Sequence, residues 1–397
     1  MIQMIELLNI SAWIALGVAA FFAVVGIVYG LRPLRKTAGL SNPELPWTEE
    51  ERPKASVVIY SSADEEALLS CIARVMDQNY PDFEVIVVCD AGAEYSGMLA
   101  DRVAAIYPQV YITFVPPGSH NLSRRKLATT IGVKAATGDV IVTTISNVEI
   151  PSDNWLAALM APFCGSQGKY YDLSLGVSMM DFSELTGAGK WYRQFVGVLM
   201  NSSWIGYAAM GHPYRGDGFN LAFRRSVFFE HKGYAKTINI HNGDDDLFVK
   251  EITTGANTRV TLSPQDLLKT YWGDSANRVW TMRKEGYDFT SRWLPRAPFI
   301  RMRIQNAAQW LVLLGSAYAA LAAWPSIIPL ILAGVILLVF WAFEISAYRH
   351  AAARLDAVKL WWAVVPFWLW LPIGNAIFKF RHRNTRIKNF TWQRRRK

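Results

Sequence analysis

Three long runs without a charged residue constrain the fold of this 397-residue chain more than any other feature. They cover residues 10–30, 307–343 and 360–378. A helix that spans a lipid bilayer needs about 20 apolar residues, and each run approaches or exceeds that length. The sequence therefore predicts a membrane protein with a soluble part between the first run and the second.

The three runs predict different membrane segments. The first is long enough for one helix, whereas the second predicts a hairpin that turns near Trp324 and Pro325. The third contains two prolines and four tryptophans, which predicts a spanning or a re-entrant segment. The predicted organisation is an N-terminal helix over residues 1–31, a linker over 32–54, a soluble domain over 55–306, the hairpin over 307–347, a loop and third segment over 348–378, and a basic tail over 379–397.

The positive charge is concentrated in the tail. Residues 379–397 hold nine Lys and Arg and no acid, which equals the whole net charge of +9. Beside a membrane segment, such a run predicts contact with anionic lipids, or a topology signal without a ligand, in preference to nucleic-acid binding. The bases that follow the first run place the soluble domain in the cytosol by the positive-inside rule.

Between the apolar runs, β-branched segments alternate with helical patterns. Strands are predicted at residues 55–60, 83–89, 110–115 and 140–144. This alternation predicts an α/β fold with a parallel sheet covered by helices on both faces. Ligands of such sheets bind beyond the carboxyl ends of the strands, where Asp64 and Asp90 lie.

Three adjacent acids, Asp244, Asp245 and Asp246, are the most unusual polar feature of the soluble domain. Neighbouring carboxylates repel each other, so the run indicates a metal site, a general base or a solvated turn. Asp244 could be the N-cap of a helix over residues 247–252. A cap accounts for one of the three acids and not for all of them.

Five segments, in order and at matching spacing, resemble motifs of the family 2 glycosyltransferases, which are inverting, membrane-associated enzymes of GT-A fold. The segments are ASVVIYSSADEE (55–66), FEVIVVCDAGAEYS (83–96), SRRKLATTIGVKAATGDVIVTT (123–144), GDGFNLAFRRSVFFEHKGY (216–234) and GDDDLFVKEI (243–252). The resemblance implies a GT-A domain, Rossmann-like as in nucleotide-diphospho-sugar transferases. It also implies transfer of a sugar from a UDP- or GDP-linked donor to a glycan or lipid-linked acceptor, at the cytosolic face of a bacterial inner membrane, in polysaccharide or cell-envelope synthesis.

The resemblance also implies roles on the donor side. Asp90 would bind the uracil or ribose of the nucleotide. Asp64 and Glu65 have the same implied role, with a helix cap as the alternative. Arg125 and Lys126 would hold the diphosphate, or else lie on a solvated surface.

On the acceptor side, the resemblance implies that Asp245 is the general base. Repulsion from Asp244 and Asp246 would make it a stronger base. Asp217 and Asn220 would lie beside the transferred sugar, or else in an ordinary loop before a strand.

The metal motif of the family is altered. Its Asp-x-Asp should follow the fourth predicted strand, where this chain has Ile145 and Asn147. Asn147 with Glu149 is the predicted remnant of the site. Because a hard divalent cation prefers carboxylate oxygens, binding of Mg²⁺ or Mn²⁺ is expected to be weakened or absent.

The Gln/Arg-x-x-Arg-Trp motif is also altered. Its best residue match ends in Arg292 and Trp293, and a competing alignment over residues 280–284 uses Arg283. Trp293 would face an acceptor sugar or a membrane interface. Because of both alterations, a catalytically degenerate scaffold that binds a partner enzyme or a glycan lipid is the alternative to an active transferase.

Overall fold

A computed structural model describes residues 2–45, 52–61, 64–90, 93–118 and 122–383. The predicted basic tail lies outside the described residues from residue 384 onward, as does part of the loop after Asp90. The chain divides into two compact units. The helical unit comprises Met1–Gly39, Val198–Gly206 and Pro295–Arg381, and the sheet unit comprises Leu40–Gly197, Tyr207–Leu294 and His382–Lys397. The predicted soluble domain, 55–306, thus extends past the sheet unit into the helical unit.

The elements are numbered in chain order over the described residues. The strands are β1 (Ala55–Ser61), β2 (Phe83–Cys89), β3 (Val110–Phe114), β4 (Val140–Ile145), β5 (Val148–Glu149), β6 (Leu173–Leu175), β7 (Ser178–Met180), β8 (Leu221–Arg224), β9 (Thr258–Val260) and β10 (Leu268–Thr270). The α-helices are α1 (Ile2–Val25), α2 (Arg32–Ala38), α3 (Glu65–Met76), α4 (Ala93–Ile106), α5 (Arg124–Ala135), α6 (Trp155–Met160), α7 (Ala188–Ala209), α8 (Arg225–Glu230), α9 (Asp246–Ile252), α10 (Ala276–Thr290), α11 (Arg296–Ala322), α12 (Ile327–Arg354) and α13 (Val364–Arg381).

The main sheet of the sheet unit has the strand order β3-β2-β1-β4-β8-β6-β9. The four predicted strands are confirmed as β1 to β4, and they pair in parallel. The expectation of a wholly parallel sheet is wrong, because β8 pairs antiparallel to β4 and to β6. A smaller sheet has the order β5-β10-β7. The predicted α/β class is confirmed, with a mixed sheet.

Burial explains why the first strands are almost continuously apolar. β1 and β4 are covered on both faces, so nearly every side chain in them is buried. The alternation of polar and apolar residues seen in a half-exposed strand is therefore missing. Helix α5 approaches β1 closely at Gly132, where an added Cβ would lie 2.4 Å from Cγ1 of Val58. A glycine is required there by packing and not by its backbone conformation.

The helical unit contains the apolar runs. Two stretches, Ile10–Ala38 and Ile327–Arg354, are long and apolar enough to cross a membrane, a test of length and composition only. Helices α11 and α12 are separated by a turn at Trp324 and Pro325, where the hairpin was predicted to turn. The third run forms α13, which contains Pro372. The predicted linker begins with helix α2, since leucine and the bases of this segment favour a helix after its proline.

We expect Gly132→Ala to destabilise the sheet unit. Its Cβ would overlap Val58, and such overpacking costs about 1–3 kcal/mol. Thermal unfolding of the full chain in detergent would measure the change. Gly97→Ala is the matched control, because nothing lies within 4 Å of an added Cβ there and the change should be neutral or slightly stabilising. Two results would refute the close packing of α5 on β1. One is a Gly132→Ala variant as stable as the control, and the other is a Val58→Ala change that does not reduce the destabilisation by Gly132→Ala when the two are combined.

Candidate active site

The carboxylate of Asp90 lies at the carboxyl edge of the main sheet, directly after β2. Its Oδ2 accepts a hydrogen bond of 2.6 Å from the Tyr60 hydroxyl, and its Oδ1 one of 2.5 Å from Nε of Arg124. Burial and the carboxylate raise the pKa of Tyr60, so that phenol stays protonated and donates. Asp90 is thus held in a fixed position beside a basic group. Sequence reasoning missed Arg124, although it is adjacent to the predicted Arg125.

Asp64 and Glu65 lie at the start of α3 and have separate partners. Asp64 is the N-cap of the helix, since its Oδ1 accepts from the backbone N–H of Ala67 at 3.1 Å. Its Oδ2 accepts from the Asn147 amide at 3.4 Å. Glu65 pairs with Arg102 of α4 at 2.6 Å. The alternative interpretation, a helix cap, is confirmed for Asp64. Glu65 instead forms an ion pair between α3 and α4.

Asn147 and Glu149 do not form a cation site. The Glu149 carboxylate accepts a hydrogen bond from Tyr271, and β5 holds its backbone in the small sheet. The side chain of Asn147 contacts one carboxylate, that of Asp64. Among the described residues there is no group of three or more His, Cys, Asp or Glu that could hold a metal ion. The pair offers one neutral amide and one carboxylate that is already bonded to Tyr271, which is a poor donor set for Mg²⁺ or Mn²⁺.

Arg125 and Lys126 point to different places. Nε of Arg125 lies 2.8 Å from Oδ2 of Asp244, and its guanidinium stacks on the Phe219 ring at 4.3 Å. A Cβ at Gly218 would lie 2.9 Å from Nη2 of Arg125 and 3.0 Å from Oδ2 of Asp244, so this contact needs glycine.

Lys126 corrects a prediction. Its side chain is fully buried, and its ammonium donates to the carbonyl of Thr237 at 2.8 Å. Burial lowers the pKa of Lys126 to about 8. An ammonium enclosed in this way does not reach a diphosphate. It holds the segment that leads into the acid run.

The acid run begins helix α9, and the structure assigns the cap to a different residue from the predicted one. Asp245, and not Asp244, is the N-cap, and its Oδ1 accepts from the backbone N–H of Asp246 at 2.7 Å. Its Oδ2 accepts from the Tyr287 hydroxyl at 3.0 Å. Asp245 keeps 6% of its surface exposed. The two donors therefore fix the orientation of a largely buried carboxylate.

Asp246 and Asp244 are both buried and have different partners. Asp246 is fully buried, and its Oδ2 accepts from the Thr290 hydroxyl and from Arg215 at 3.3 Å. Burial, and then the charge of Asp245, raise the pKa of Asp246 to about 6. Burial also raises the pKa of Asp244, while Arg125 opposes the shift. Asp246 is held by Arg215 and Thr290, whereas Asp244, also buried, is the partner of Arg125.

Asp217 and Asn220 are both buried in the loop before β8. Oδ2 of Asp217 accepts from the backbone and the hydroxyl of Ser178, and its Oδ1 from Arg283 at 3.2 Å. Asn220 uses its amide internally, since it accepts from the Trp155 indole at 3.0 Å and donates to the carbonyl of Val177 at 2.9 Å. The prediction that Asn220 lies beside a sugar is therefore wrong. Asp217 is present in the site as the partner of Arg283.

Helix α10 supplies the residues of the competing motif alignment. Arg283 donates to Asp217 and, at 3.0 Å, to the Tyr287 hydroxyl, which in turn donates to Asp245. Arg292 instead donates to the backbone carbonyl of Phe289, three residues earlier in the chain, at 2.8 Å. The residue match at Arg292 was misleading. The spacing to the acid run favoured Arg283, and a four-residue interval on a helix places Tyr287 beside it.

Trp293 follows α10 and is 39% exposed. Its ring packs edge-on against Phe289, with ring centroids 5.2 Å apart.

Three groups of side chains make up the site that the structure assembles. They are Asp90 with Tyr60 and Arg124, Asp244 with Arg125, and Asp245 with Tyr287, Arg283 and Asp217.

A comparison with protein-family models matches one segment of the chain. Residues 56–194 match the sequence model of Glycosyl transferase family 2. The acid run and α10 lie after the matched segment. No curated protein sequence matches the chain.

Solved structures give the same fold. The mannosyltransferase PcManGT from Pyrobaculum calidifontis, in complex with GDP-Man and Mn²⁺, is 18% identical with a TM-score of 0.50, over 88% of this chain and 99% of that chain. Glucosyl-3-phosphoglycerate synthase from Mycobacterium tuberculosis is 15% identical with a TM-score of 0.37, over 60% of this chain and 80% of that one. At such identities the first likeness shows the fold alone, and the second is too weak to add to it.

The matched segment contains β1 to β4 with Asp90, Arg124 and Arg125, the part of the site where an α/β sheet binds its ligand. Residues 56–194 thus resemble family 2 glycosyltransferases, and the chain shares the fold of the glycosyltransferase PcManGT.

Proposed function

We propose that this enzyme moves a sugar from a nucleotide-linked donor to a glycan or lipid-linked acceptor with inversion, and that Asp245 is its general base. One observation carries the proposal. Asp245 is buried with 6% of its surface exposed, and a tyrosine and a backbone N–H fix its two oxygens. A base needs such a fixed orientation toward the proton that it takes.

The donor would bind along the carboxyl edge of β1, β2 and β4. Asp90 accepts hydrogen bonds well, so it would take an imide N–H or a ribose hydroxyl of the nucleotide. PcManGT was solved with GDP-Man, and UDP- and GDP-linked sugars are the two donor classes proposed here.

The diphosphate would be held by arginines rather than by a cation. Arg124 and Arg125 begin α5, a 12-residue helix whose N-terminal end carries a partial positive charge. Guanidinium groups bind phosphate oxygens through paired hydrogen bonds. The described residues at the Asp-x-Asp position offer no carboxylate set for Mn²⁺, so donor binding would depend little on metal.

The transfer is a single displacement. Asp245 takes the proton of the acceptor hydroxyl as its oxygen attacks the anomeric carbon from the face opposite the diphosphate. The bond between the anomeric carbon and the phosphate oxygen breaks, and the nucleoside diphosphate leaves with that electron pair. Tyr287 and Arg283 hold Asp245 and Asp217 in place and neutralise part of the charge of the site.

The apolar stretches Ile10–Ala38 and Ile327–Arg354 support a membrane location for the enzyme. Arg32, Arg35 and Lys36 at the end of the first stretch favour a cytosolic sheet unit, as in a multi-pass protein of a bacterial inner membrane that acts in cell-envelope polysaccharide synthesis. Confinement to one surface lowers the entropic cost of bringing an amphipathic acceptor to the enzyme.

Asp245→Asn should lower the rate of sugar transfer by about 10²- to 10⁴-fold, because general-base catalysis contributes about that much. The asparagine oxygen can still cap α9, so the fold and nucleotide binding should persist. Glu251→Gln, on the same helix and paired with Lys236, is the control and should keep the wild-type rate. If the rate of sugar transfer by Asp245→Asn is within threefold of the wild-type rate, Asp245 is not the general base.

The binding of UDP and GDP should change by less than about threefold between EDTA and Mn²⁺, since no carboxylate set of the described residues favours the cation. Arg124→Gln should weaken binding about tenfold through the lost charged hydrogen bonds. Arg102→Gln, which changes an arginine paired with Glu65, is the matched control. Calorimetric titration of the detergent-solubilised chain would measure each value.

Two other results of that titration would be decisive. Nucleotide binding that requires Mn²⁺ would contradict the proposal that arginines hold the diphosphate without a cation. It would not contradict the proposed sugar transfer. No binding of either nucleotide with or without metal would favour the degenerate scaffold.

The contribution of Asp246 to stability should fall as the pH rises from about 4 to about 6. Its pKa rises from 3.8 to about 6 on folding, so the folded chain retains a proton there that the unfolded chain releases. The melting temperature of Asp246→Asn, relative to the wild type, should therefore increase between pH 5 and pH 7 in thermal unfolding. A constant difference across that range would show that Asp246 is ionised throughout.

A further inference from the structure

An open groove of about 590 Å³ lies between α11 and α13 in the helical unit. It plays no part in the proposed transfer chemistry. Its lining is formed by Arg303, Asn306, Ala307, Trp310, Pro372, Ile373 and Ala376.

The sequence explains why these helices leave a groove. Pro372 lies inside α13, where it lacks the N–H for a helical bond and its ring crowds the preceding turn, which bends a helix. The facing positions Ala307 and Ala376 are small. The space that a larger side chain would fill is therefore open.

The lining changes from polar to apolar along α11. Arg303 and Asn306 lie at one end, and Trp310 lies seven residues after Arg303, which is about 10 Å along a helix. Arg303 is exposed and pairs with no carboxylate among the described residues, and the side-chain NH₂ of Asn306 in the same lining is a donor that suits a phosphate oxygen. An arginine and an amide at the mouth of an apolar groove match a phosphate attached to a hydrocarbon chain.

The charge of the unit favours an anionic ligand. The helical unit holds eleven Lys and Arg against three Asp and Glu. A bilayer offers anionic phospholipid at high local concentration, and each base near its surface adds about 1 kcal/mol of attraction.

We propose that this groove binds one anionic phospholipid of the surrounding bilayer, with its phosphate on Arg303 and Asn306 and an acyl chain along Trp310 and Ile373. The proposal rests on the proposed membrane location and not on the transfer chemistry. The occupant is a structural lipid, distinct from the sugar acceptor.

Native mass spectrometry of the full chain in detergent, titrated with phosphatidylglycerol and separately with phosphatidylcholine, tests this site. The wild type should retain one phosphatidylglycerol in preference to phosphatidylcholine. Arg303→Gln should weaken retention about fivefold, as expected for one base near a lipid phosphate. Ala307→Trp, an exposed position, should fill the groove and remove the lipid. Arg296→Gln is the matched control, since it changes an exposed arginine of α11 outside the groove.

Each other result would overturn the proposal. Equal retention by Arg303→Gln and Arg296→Gln would deny a specific phosphate contact. Equal retention of phosphatidylcholine would deny anionic recognition. Displacement by polyprenyl phosphate at equal concentration would make the groove an acceptor site instead. UDP and GDP titrations on the same variants should match the wild type, so a failure of the lipid site is distinguishable from a failure of the transferase.

Discussion

The buried carboxylate of Asp246 is the constraint on which the acid run depends. Burial of a charged group costs desolvation free energy unless hydrogen bonds and an opposite charge compensate it. Arg215 and Thr290 supply that compensation from the loop before β8 and from the end of α10. Because Asp246 is bonded to both, α9 starts at a fixed position, which also fixes the positions of Asp245 and Asp244.

A second set of bonds brings the acid run to the donor side of the sheet. Ser123 and Lys126 of the α5 start hold the segment before the run through the carbonyls of His241 and Thr237. Arg125, between them, is then close enough to pair with Asp244. Lys126 therefore organises the site without contacting a ligand, because its ammonium fixes backbone that the arginines need.

The sequence was sufficient for the first four strands and the fold class, because these follow from periodicity and composition over many residues. It was insufficient for the direction of single side chains. Successive residues of a helix lie about 100° apart. Arg124 and Arg125 can thus reach the sheet edge while Lys126 turns inward, and residue type alone does not distinguish them.

The same limit explains the errors at Asn220 and Arg292. An amide in a glycine-rich loop suggests a ligand contact, but the indole of Trp155 lies beside Asn220 only in the folded chain. Residue identity favoured Arg292, whereas the distance along the chain from the acid run favoured Arg283. Where a motif is altered, spacing is the better guide, since it follows from the path of the backbone.

The altered metal motif and the arginines at the sheet edge both affect how the negative charge of a diphosphate would be balanced. Loss of both carboxylates of an Asp-x-Asp removes two negative charges that would repel a diphosphate in the absence of a cation. In their place stand Ile145 and Asn147, one apolar and one neutral. Under the proposed function, a site without those acids needs no divalent ion to offset them, and the arginines of α5 would face the diphosphate directly. We infer that these arginines then balance the donor charge, while Asp245 keeps its proposed role in proton transfer.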